Sequence, residues 1–155
     1  MNDRSTPTGH EALAGRCPPV LLTTVRRLFA PAGPGRLRCR LRYTVDDPYA
    51  VALDFVVDAG TGLCVTWVVA RDLLDEGTRG PSGEGDFRVR PSPRRHDEAG
   101  RVRFSLRRPD GQVTFEAELA GVRRWLDATY ALVPAGSEHR MLDWDALEAD
   151  LLGRD

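Results

Sequence analysis

Residues 36–43 read Arg-Leu-Arg-Cys-Arg-Leu-Arg-Tyr, a strict alternation of basic and uncharged side chains. Successive side chains of a β-strand point to opposite faces of a sheet, so the stretch predicts a strand with two chemically different faces. Its apolar face holds Leu37, Cys39, Leu41 and Tyr43. Its basic face holds Arg36, Arg38, Arg40 and Arg42. We expect the apolar face to lie against a core and the basic face to lie on the outside of the sheet.

Six further short runs have the composition of strands, and turns rich in Pro, Gly and Asp separate them. They are residues 20–29, 50–57, 63–69, 87–90, 101–107 and 113–118. Connections of hairpin length favour antiparallel pairing, because parallel neighbours need a crossover of about a dozen residues or more. We therefore expect about seven strands in antiparallel sheets.

The runs at 101–107 and 113–118 repeat the alternation of residues 36–43. Their predicted inward side chains are Val102, Phe104, Leu106, Phe115 and Ala117. The outward positions of the first run are mostly arginine, and those of the second are acidic. We expect the arginine rows to pair across strands with Glu116, Glu118 and Asp54 on a solvated outer face.

The basic face has an alternative function, which is to bind a single-stranded nucleic acid through Arg36, Arg38, Arg40 and Arg42. Guanidinium groups neutralise phosphates and stack on bases. Single-strand binders also place aromatic rings on the binding face. Tyr43 and Phe104 are predicted on the opposite face, so ion pairing is favoured over nucleic-acid binding.

Three helices are predicted after the fourth strand. Residues 70–77 form a short helix for which Gly77 is the expected C-cap. Residues 119–132 form a longer helix with one apolar stripe. That stripe consists of Val122, Trp125, Leu126, Thr129 and Tyr130. The third helix starts at Asp143 as its N-cap and carries Trp144, Leu147 and Leu151 on one side. It either closes the core or docks on a neighbouring subunit or a filament protein.

These elements predict an α+β domain in which antiparallel sheets pack against two longer helices and one short helix. Residues 20–155 are expected to form this domain. Residues 1–19 are polar and interrupted by Pro and Gly, and we expect them to be a flexible tail. The sequence thus predicts one tail and one domain.

Composition limits the classes of function. The chain of 155 residues has 22 basic residues, all arginine, against 23 acidic ones, so its net charge of −1 gives no overall attraction to nucleic acid or an anionic membrane. The three cysteines lack Cys-x-x-Cys spacing, which favours a reducing cytoplasm. No apolar run approaches the ~20 residues of a membrane span, so no membrane insertion is expected.

The sequence contains none of the common catalytic, metal-binding or cofactor-binding motifs, so no enzyme is predicted. His139 follows Glu138, and a His beside a carboxylate can act as a general base. Neighbouring residues of a turn point in different directions, however, so a turn or subunit contact is favoured for them. Similarly, Asp72 is expected to cap the short helix and Arg71 to pair locally with Asp75 or Glu76.

Four segments carry a resemblance to a known family. They read Tyr-Thr-Val-Asp-Asp-Pro-Tyr-Ala-Val at 43–51, Trp-Val-Val-Ala-Arg-Asp-Leu-Leu-Asp-Glu-Gly at 67–77, Pro-Ser-Gly-Glu-Gly-Asp-Phe-Arg-Val-Arg-Pro-Ser at 81–92, and Val-Pro-Ala-Gly-Ser-Glu-His-Arg at 133–140. Together they resemble the SsgA-like proteins, regulators of sporulation and cell division in spore-forming actinobacteria. The family-motif residues, with a structural or partner-contact role, are Asp47, Pro48, Tyr49, Trp67, Arg71, Asp72, Gly83, Gly85, Glu138, His139 and Arg140.

The resemblance implies both a fold and a function. The fold is the Whirly-like architecture of single-strand-binding proteins, assembled as a homotrimer. The function is that of a non-enzymatic adaptor, without cofactor, which acts in septum placement and cell-wall remodelling through protein–protein contacts. It implies a cytoplasmic protein at division septa, with the division protein FtsZ or another SsgA-like protein as candidate partners.

Overall fold

The computed structural model describes residues 17–29, 35–94, 96 and 98–153. The strands are β1 (Val20–Leu28), β2 (Arg36–Arg42), β3 (Ala50–Asp58), β4 (Leu63–Ala70), β5 (Phe87–Pro91), β6 (Arg101–Arg108) and β7 (Gly111–Glu118). The helices are α1 (Arg71–Gly77), α2 (Leu119–Leu132) and α3 (Trp144–Leu152), with a 3-10 helix at Glu138–Met141. The α+β class and the predicted order of elements are confirmed. Residues 1–16 of the predicted tail and most of the turn at 31–35 lie outside the described residues.

All seven strands belong to one antiparallel sheet in the order β4-β3-β2-β1-β7-β6-β5. Two runs of consecutive strands, β1–β4 and β5–β7, meet where β1 pairs with β7 over Arg26–Leu28. Short turns join the strands within each run, which is why they pair with their neighbours in sequence, whereas β4 and β5 lie at opposite edges of the sheet. The expected antiparallel pairing is therefore confirmed, within a single sheet.

The sheet is strongly curled. In a flat sheet the edge strands β4 and β5 would lie about 29 Å apart, since neighbouring strands are spaced by about 4.8 Å. Instead, the ring centroids of Trp67 on β4 and Phe87 on β5 are 6.2 Å apart. Phe55 and Phe115 also stack across the interior with centroids 4.8 Å apart. The curl gives the molecule a closed inner face, which is the core, and a convex outer face.

The alternating strands point as their sequences predict. Leu41, Phe104 and Val102 are fully buried, whereas the arginines of β2 are exposed. Helix α2 packs on the inner side of β1, β6 and β7 and buries Trp125 and Leu126. The indole Nε1 of Trp125 donates to the carbonyl oxygen of Pro19 at 3.0 Å, where Pro19 is the last residue of the predicted tail.

Gly77 does not act as predicted. It is the last residue of α1, and its C-cap is Thr78, whose backbone is in the ordinary right-handed region. A Cβ at Gly77 would overlap the side chain of Val89 on β5. Glycine is needed at 77 because α1 approaches β5 closely, and not because the helix ends in a left-handed residue.

Helix α3 does not close the core. Asp143 is its N-cap as predicted, because the carboxylate Oδ1 accepts from the backbone N–H of Ala146 at 3.0 Å. None of its residues is buried. Trp144 and Leu151, on the predicted apolar stripe, are 55% and 72% exposed. Helix α3 therefore forms with the predicted apolar stripe, but no described residue of the chain covers that stripe.

Candidate functional site

Arg71 is the first residue of α1, and its side chain is buried. Nη1 donates to the carbonyl oxygens of Thr129 at 3.1 Å and Val133 at 2.8 Å. Nη2 donates to Oε1 of Glu138 at 2.7 Å. A cation is favoured beside the carboxyl end of α2, where the helix carries partial negative charge. Arg71 thus holds α1, the end of α2 and the 3-10 helix together.

The prediction that Arg71 pairs with Asp75 or Glu76 is wrong. Its partner Glu138 lies 67 residues away in sequence. Asp75 instead forms an i,i+4 ion pair with Arg79, with Nη1 and Oδ2 2.7 Å apart. Arg71 is turned inward, where its guanidinium binds two carbonyl oxygens and the carboxylate of Glu138.

Two tyrosine rings flank the guanidinium of Arg71. Its Cζ lies 4.8 Å from the ring centroid of Tyr43 and 4.1 Å from that of Tyr130, distances that give favourable cation–π contact. Burial raises the pKa of Tyr43 to about 12, although the positive charge of Arg71 acts in the opposite direction. Burial also raises the pKa of Glu138, but hydrogen bonds from backbone N–H groups and Arg71 outweigh it and hold that pKa below its ordinary value.

Three of the four family-motif segments meet at this cluster. The hydroxyl of Tyr43 donates to the carbonyl oxygen of Pro48 at 3.0 Å, and the backbone N–H of Arg71 donates to that of Tyr49 at 2.8 Å. Asp47 closes the same turn, since its carbonyl oxygen accepts from Ala50 at 3.3 Å. We define the Arg71 cluster as Tyr43, Pro48, Tyr49, Arg71, Thr129, Tyr130, Val133 and Glu138. The guanidinium of Arg71 and the hydroxyl of Tyr43 bind groups of the same chain, so the cluster joins segments that are distant in sequence.

The other family-motif residues lie apart from this cluster. Trp67 points into the core, and Gly83 and Gly85 form the turn before β5 with positive φ. A Cβ at Gly83 would overlap the carbonyl oxygen of Phe87, so the turn requires glycine. Asp72 is exposed in the first turn of α1, where its carboxylate accepts from the N–H of Leu73 at 3.1 Å. The N-cap of α1 is residue 70, so Asp72 does not cap it as expected.

His139 and Arg140 are exposed on the 3-10 helix. The carboxylate of Glu138 is bound by Arg71, so it does not orient the imidazole of His139 as a catalytic partner would. The carbonyl oxygen of His139 accepts from Nε1 of Trp144 at 3.2 Å. This bond links the 3-10 helix to α3, and the turn or subunit contact expected of the His139 and Arg140 side chains stays a prediction.

A second cluster lies on the convex side of β1–β4, centred on the carboxylate of Asp54, which is 1% exposed. Its oxygens accept from Nε of Arg42 at 2.6 Å, Nε of Arg40 at 2.9 Å and Oγ1 of Thr66 at 2.7 Å. The bond from Arg42 is the main cause that lowers the pKa of Asp54; burial opposes it, and Thr66 and Arg40 add to it. The predicted pairing of the arginine row with Asp54 is confirmed.

Glu116 forms an equivalent cluster on β7. It accepts from Nη2 of Arg26, Nε of Arg103 and Oγ of Ser92 at 2.7–2.8 Å. Burial raises its pKa, but Ser92 and the two arginines outweigh burial and lower it to about 2. Glu118 was expected to pair with the arginine rows of the strands. It pairs instead with Arg124 of α2, with Oε1 and Nη2 3.7 Å apart.

The outer arginine face is the convex surface of β1–β4 around Arg36, Arg38, Arg40 and Arg42. Within the described residues, Arg36 and Arg38 form no ion pair. Exposed apolar residues flank the arginine column, with Leu22 on β1 and Val68 on β4 exposed by 76% and 64%. A groove of about 670 Å³ crosses the same four strands. This face therefore combines positive charge with unburied apolar surface.

Residues 17–29, 35–94, 96 and 98–153 contain no group of three or more His, Cys, Asp or Glu side chains placed to bind a metal ion. They also contain no helix with the length and apolar character needed to cross a membrane. The three cysteines are all described, and none of them forms a disulfide.

Comparison with known families identifies the chain. Residues 37–138 match the family described as the Streptomyces sporulation and cell division protein SsgA. The chain belongs to the SsgA family. The match starts in β2 and ends at Glu138, so it includes every member of the Arg71 cluster.

Relatives of this SsgA-family chain carry one recurring name. This chain is 41% identical to the sporulation-specific cell division protein SsgB of Kineococcus radiotolerans, over 94% of this chain and 91% of that protein. It is 46% identical to SsgB of Streptomyces coelicolor, over 81% and 84% of the two chains. The role of this SsgA-family protein is therefore in sporulation-specific cell division.

Solved structures of the family share the fold. An SsgA-like sporulation-specific cell division protein from Thermobifida fusca superposes with a TM-score of 0.74 at 36% identity, covering 87% of this chain and 96% of that one. A structure from work relating SsgB mutations to longitudinal cell division during sporulation of Streptomyces coelicolor gives 0.72 at 36% identity, covering 81% and 96%. The curled sheet and its helices are thus the architecture of the family.

Proposed function

We propose that this SsgA-family protein is a non-enzymatic adaptor that acts through protein–protein contacts in septum placement and cell-wall remodelling. The supporting observation is a contrast between two parts of the molecule. The polar motif residues of the Arg71 cluster bind one another, whereas α3 and the outer arginine face leave apolar side chains unburied. Apolar surface that stays exposed on a folded domain is typical of an interaction site.

The proposed partners are proteins of the division machinery. FtsZ or another SsgA-like protein is the candidate client, and a homotrimer is the proposed assembly. The protein would then act on the cytoplasmic side of division septa. These assignments rest on family membership, and the exposed apolar surfaces support a role in protein–protein contacts.

A pull-down from a sporulating culture of the host tests the proposal. The tagged full-length chain is the bait, an untagged strain is the control, and bound proteins and bound nucleic acid are quantified from the same sample. We expect enrichment of FtsZ or of septal cell-wall proteins over the control. A wild-type bait that retains no division or cell-wall protein would contradict the adaptor function.

The outer arginine face supports a second candidate, the binding of single-stranded nucleic acid. The specific observation is that Arg36 and Arg38 lack ion pairs among the described residues, which leaves their guanidinium groups for phosphates. Against it, the outward positions of β1–β4 hold no aromatic ring on which bases could stack. Salt-sensitive binding of an oligonucleotide that is lost in Arg36→Ala/Arg38→Ala would establish this function, and absence of binding by the wild type would end it.

A further inference from the structure

The curled sheet has two ends, and α2 lies at only one of them. Helix α2 directly follows the last residue of β7, and the indole of Trp125 binds Pro19 next to the start of β1. Neighbouring strands run in opposite directions, so the turns after β3 and β6 lie together at the far end. A cavity of about 340 Å³ opens at this far end, and its lining comes from the strands and the β6–β7 turn.

The walls of this cavity are apolar and partly aromatic. Phe55 and Phe115 stack on each other, and the ring of Trp67 lines the same cavity. Aliphatic side chains complete the walls, and they are Leu37, Val65, Leu106 and Val113. Pockets for small ligands have volumes of about 300–1,000 Å³ and walls of this composition. The cavity therefore has the size and the lining of a site for a small apolar chain or ring.

Arg27 places a positive charge in this apolar lining. It lies on the inner face of β1, two residues after the fully buried Val25, and it is itself partly buried. Its side chain forms no ion pair or hydrogen bond with any described residue. A guanidinium group carries five N–H donors, so a partly buried one is stabilised by a ligand that supplies anionic acceptors.

The other charges of the lining oppose each other. Nε of Arg108 lies 3.6 Å from Oδ1 of Asp110 at the β6–β7 turn, and both side chains are more than half exposed. The positive charge that remains is that of Arg27. One guanidinium group without a partner matches one carboxylate, with which it can form two parallel hydrogen bonds.

Apolar surface continues outside the cavity at the same end of the sheet. Val57, which lines the cavity, is 47% exposed. Leu63, the first residue of β4, and Phe29, which directly follows β1, are 60% and 84% exposed. Exposed apolar side chains beside a cavity are typical of ligand-binding grooves. A ligand with an apolar tail can thus approach the cavity along apolar surface.

We propose that this cavity binds a small carboxylic acid with an apolar tail, of the class of medium-chain fatty acids. The tail lies against Phe55, Trp67 and Phe115, and the carboxylate accepts hydrogen bonds from Arg27. No residue of α3 or of the Arg71 cluster lines the cavity, so the site is separate from both. The ligand contacts strands of both runs, β1–β4 and β5–β7, and binding to the folded chain alone stabilises the curled sheet.

Titration of the isotope-labelled full-length chain, followed by amide NMR, tests the proposal. Octanoate is the charged probe, and octanol is the uncharged probe with a similar tail. Arg27→Gln should weaken octanoate binding by at least about tenfold, because it removes a charge-assisted contact, and should leave octanol binding unchanged. Arg36→Gln removes an exposed arginine that does not line the cavity, and it should change neither affinity.

A second pair of variants tests the location of the site. Val57→Trp introduces a bulky ring into the lining from an exposed position and should abolish binding of both probes. Val68→Trp makes the same change at an exposed position of β4 outside the cavity and should leave binding as in wild type. Circular dichroism checks that each variant is folded.

Three outcomes would overturn the proposal. A wild-type chain that shows no amide shifts with millimolar octanoate has no such site. Equal losses of octanoate and octanol binding in Arg27→Gln would show that Arg27 does not bind the carboxylate. Octanoate binding that survives in folded Val57→Trp would mean that the ligand lies elsewhere on the chain.

Discussion

A single arginine, Arg71, joins parts of the chain that are far apart in sequence. Its guanidinium binds two carbonyl oxygens at the end of α2 and the carboxylate of Glu138, between two tyrosine rings. A buried charge stabilises the fold only while its partners remain. The local sequence around residue 71 offers Asp75 and Glu76 as partners, and it contains no signal for a residue 67 positions away. That is why sequence reasoning missed the cluster.

Arg71→Met should destabilise the domain by about 3–5 kcal/mol, because it leaves the carboxylate of Glu138 and two carbonyl groups without their cation. Glu138→Gln keeps a carbonyl acceptor for Arg71 and should cost less, about 1–2 kcal/mol. Urea unfolding, monitored by tryptophan fluorescence, measures the free energy of unfolding of both variants. A loss below about 1 kcal/mol for Arg71→Met would show that the cluster does not hold the helices together.

Stability should fall in acid, and Glu116 should be one cause. The pKa of Glu116 is about 2 in the folded protein against an ordinary 4.5, so on acidification the unfolded chain binds the proton first and unfolding is favoured. Its contribution is complete above about pH 4.5 and is lost as pH falls towards 2. Glu116→Gln should flatten the acid limb of the stability curve in this window. Glu118→Gln, at an exposed site, should leave that limb as it is in wild type.

Among the elements, strands and helices were predictable to different degrees. The alternation in β2 and β6 predicted correctly which side chains face the core. Side chains with a period of two can be arranged in only two ways, and one of these would expose all the apolar residues. The apolar stripe of α2 gave the bounds Leu119–Leu132 correctly. The stripe of α3 predicted a helix but not its position, because the same pattern suits a core helix and an uncovered one.

Two tryptophans separate the roles of α2 and α3. Trp125→Ala in α2 should destabilise the domain by about 3–5 kcal/mol, because it removes a buried aromatic ring from the core. Trp144→Ala in α3 should change the stability of the monomer by less than about 1 kcal/mol, since that ring is half exposed. Thermal and urea unfolding at low protein concentration compare the stabilities of the two variants. Equal losses would mean that α3 belongs to the core.

At the scale of the whole molecule, α1 connects the two edges of the curled sheet. It continues directly from β4, one edge, and packs against β5, the other edge. Gly77 allows this contact, because any larger residue would overlap Val89. The curl itself was not predictable from the strand pattern, since alternation specifies the faces of a sheet but not its curvature.

Gly77→Ala should therefore destabilise the domain by about 1–3 kcal/mol by forcing α1 away from β5. Gly80→Ala is the matched control. A Cβ at residue 80 meets no atom within 4 Å, so this change should be neutral or slightly stabilising. Chemical unfolding of the two variants checks the difference. Equal stability of the two alanine variants would show that α1 and β5 separate without cost.

The pairing of Ser82 with β5 restricts how any partner can bind. The backbone groups of Ser82 and Val89 exchange two hydrogen bonds of 2.8 and 2.9 Å, which occupy the free edge of that strand. An incoming peptide therefore meets no open main-chain ladder at Val89 and cannot extend the sheet there as an added strand. Recognition at this side of the molecule must use side chains, so its specificity can change by point substitution while the backbone stays the same.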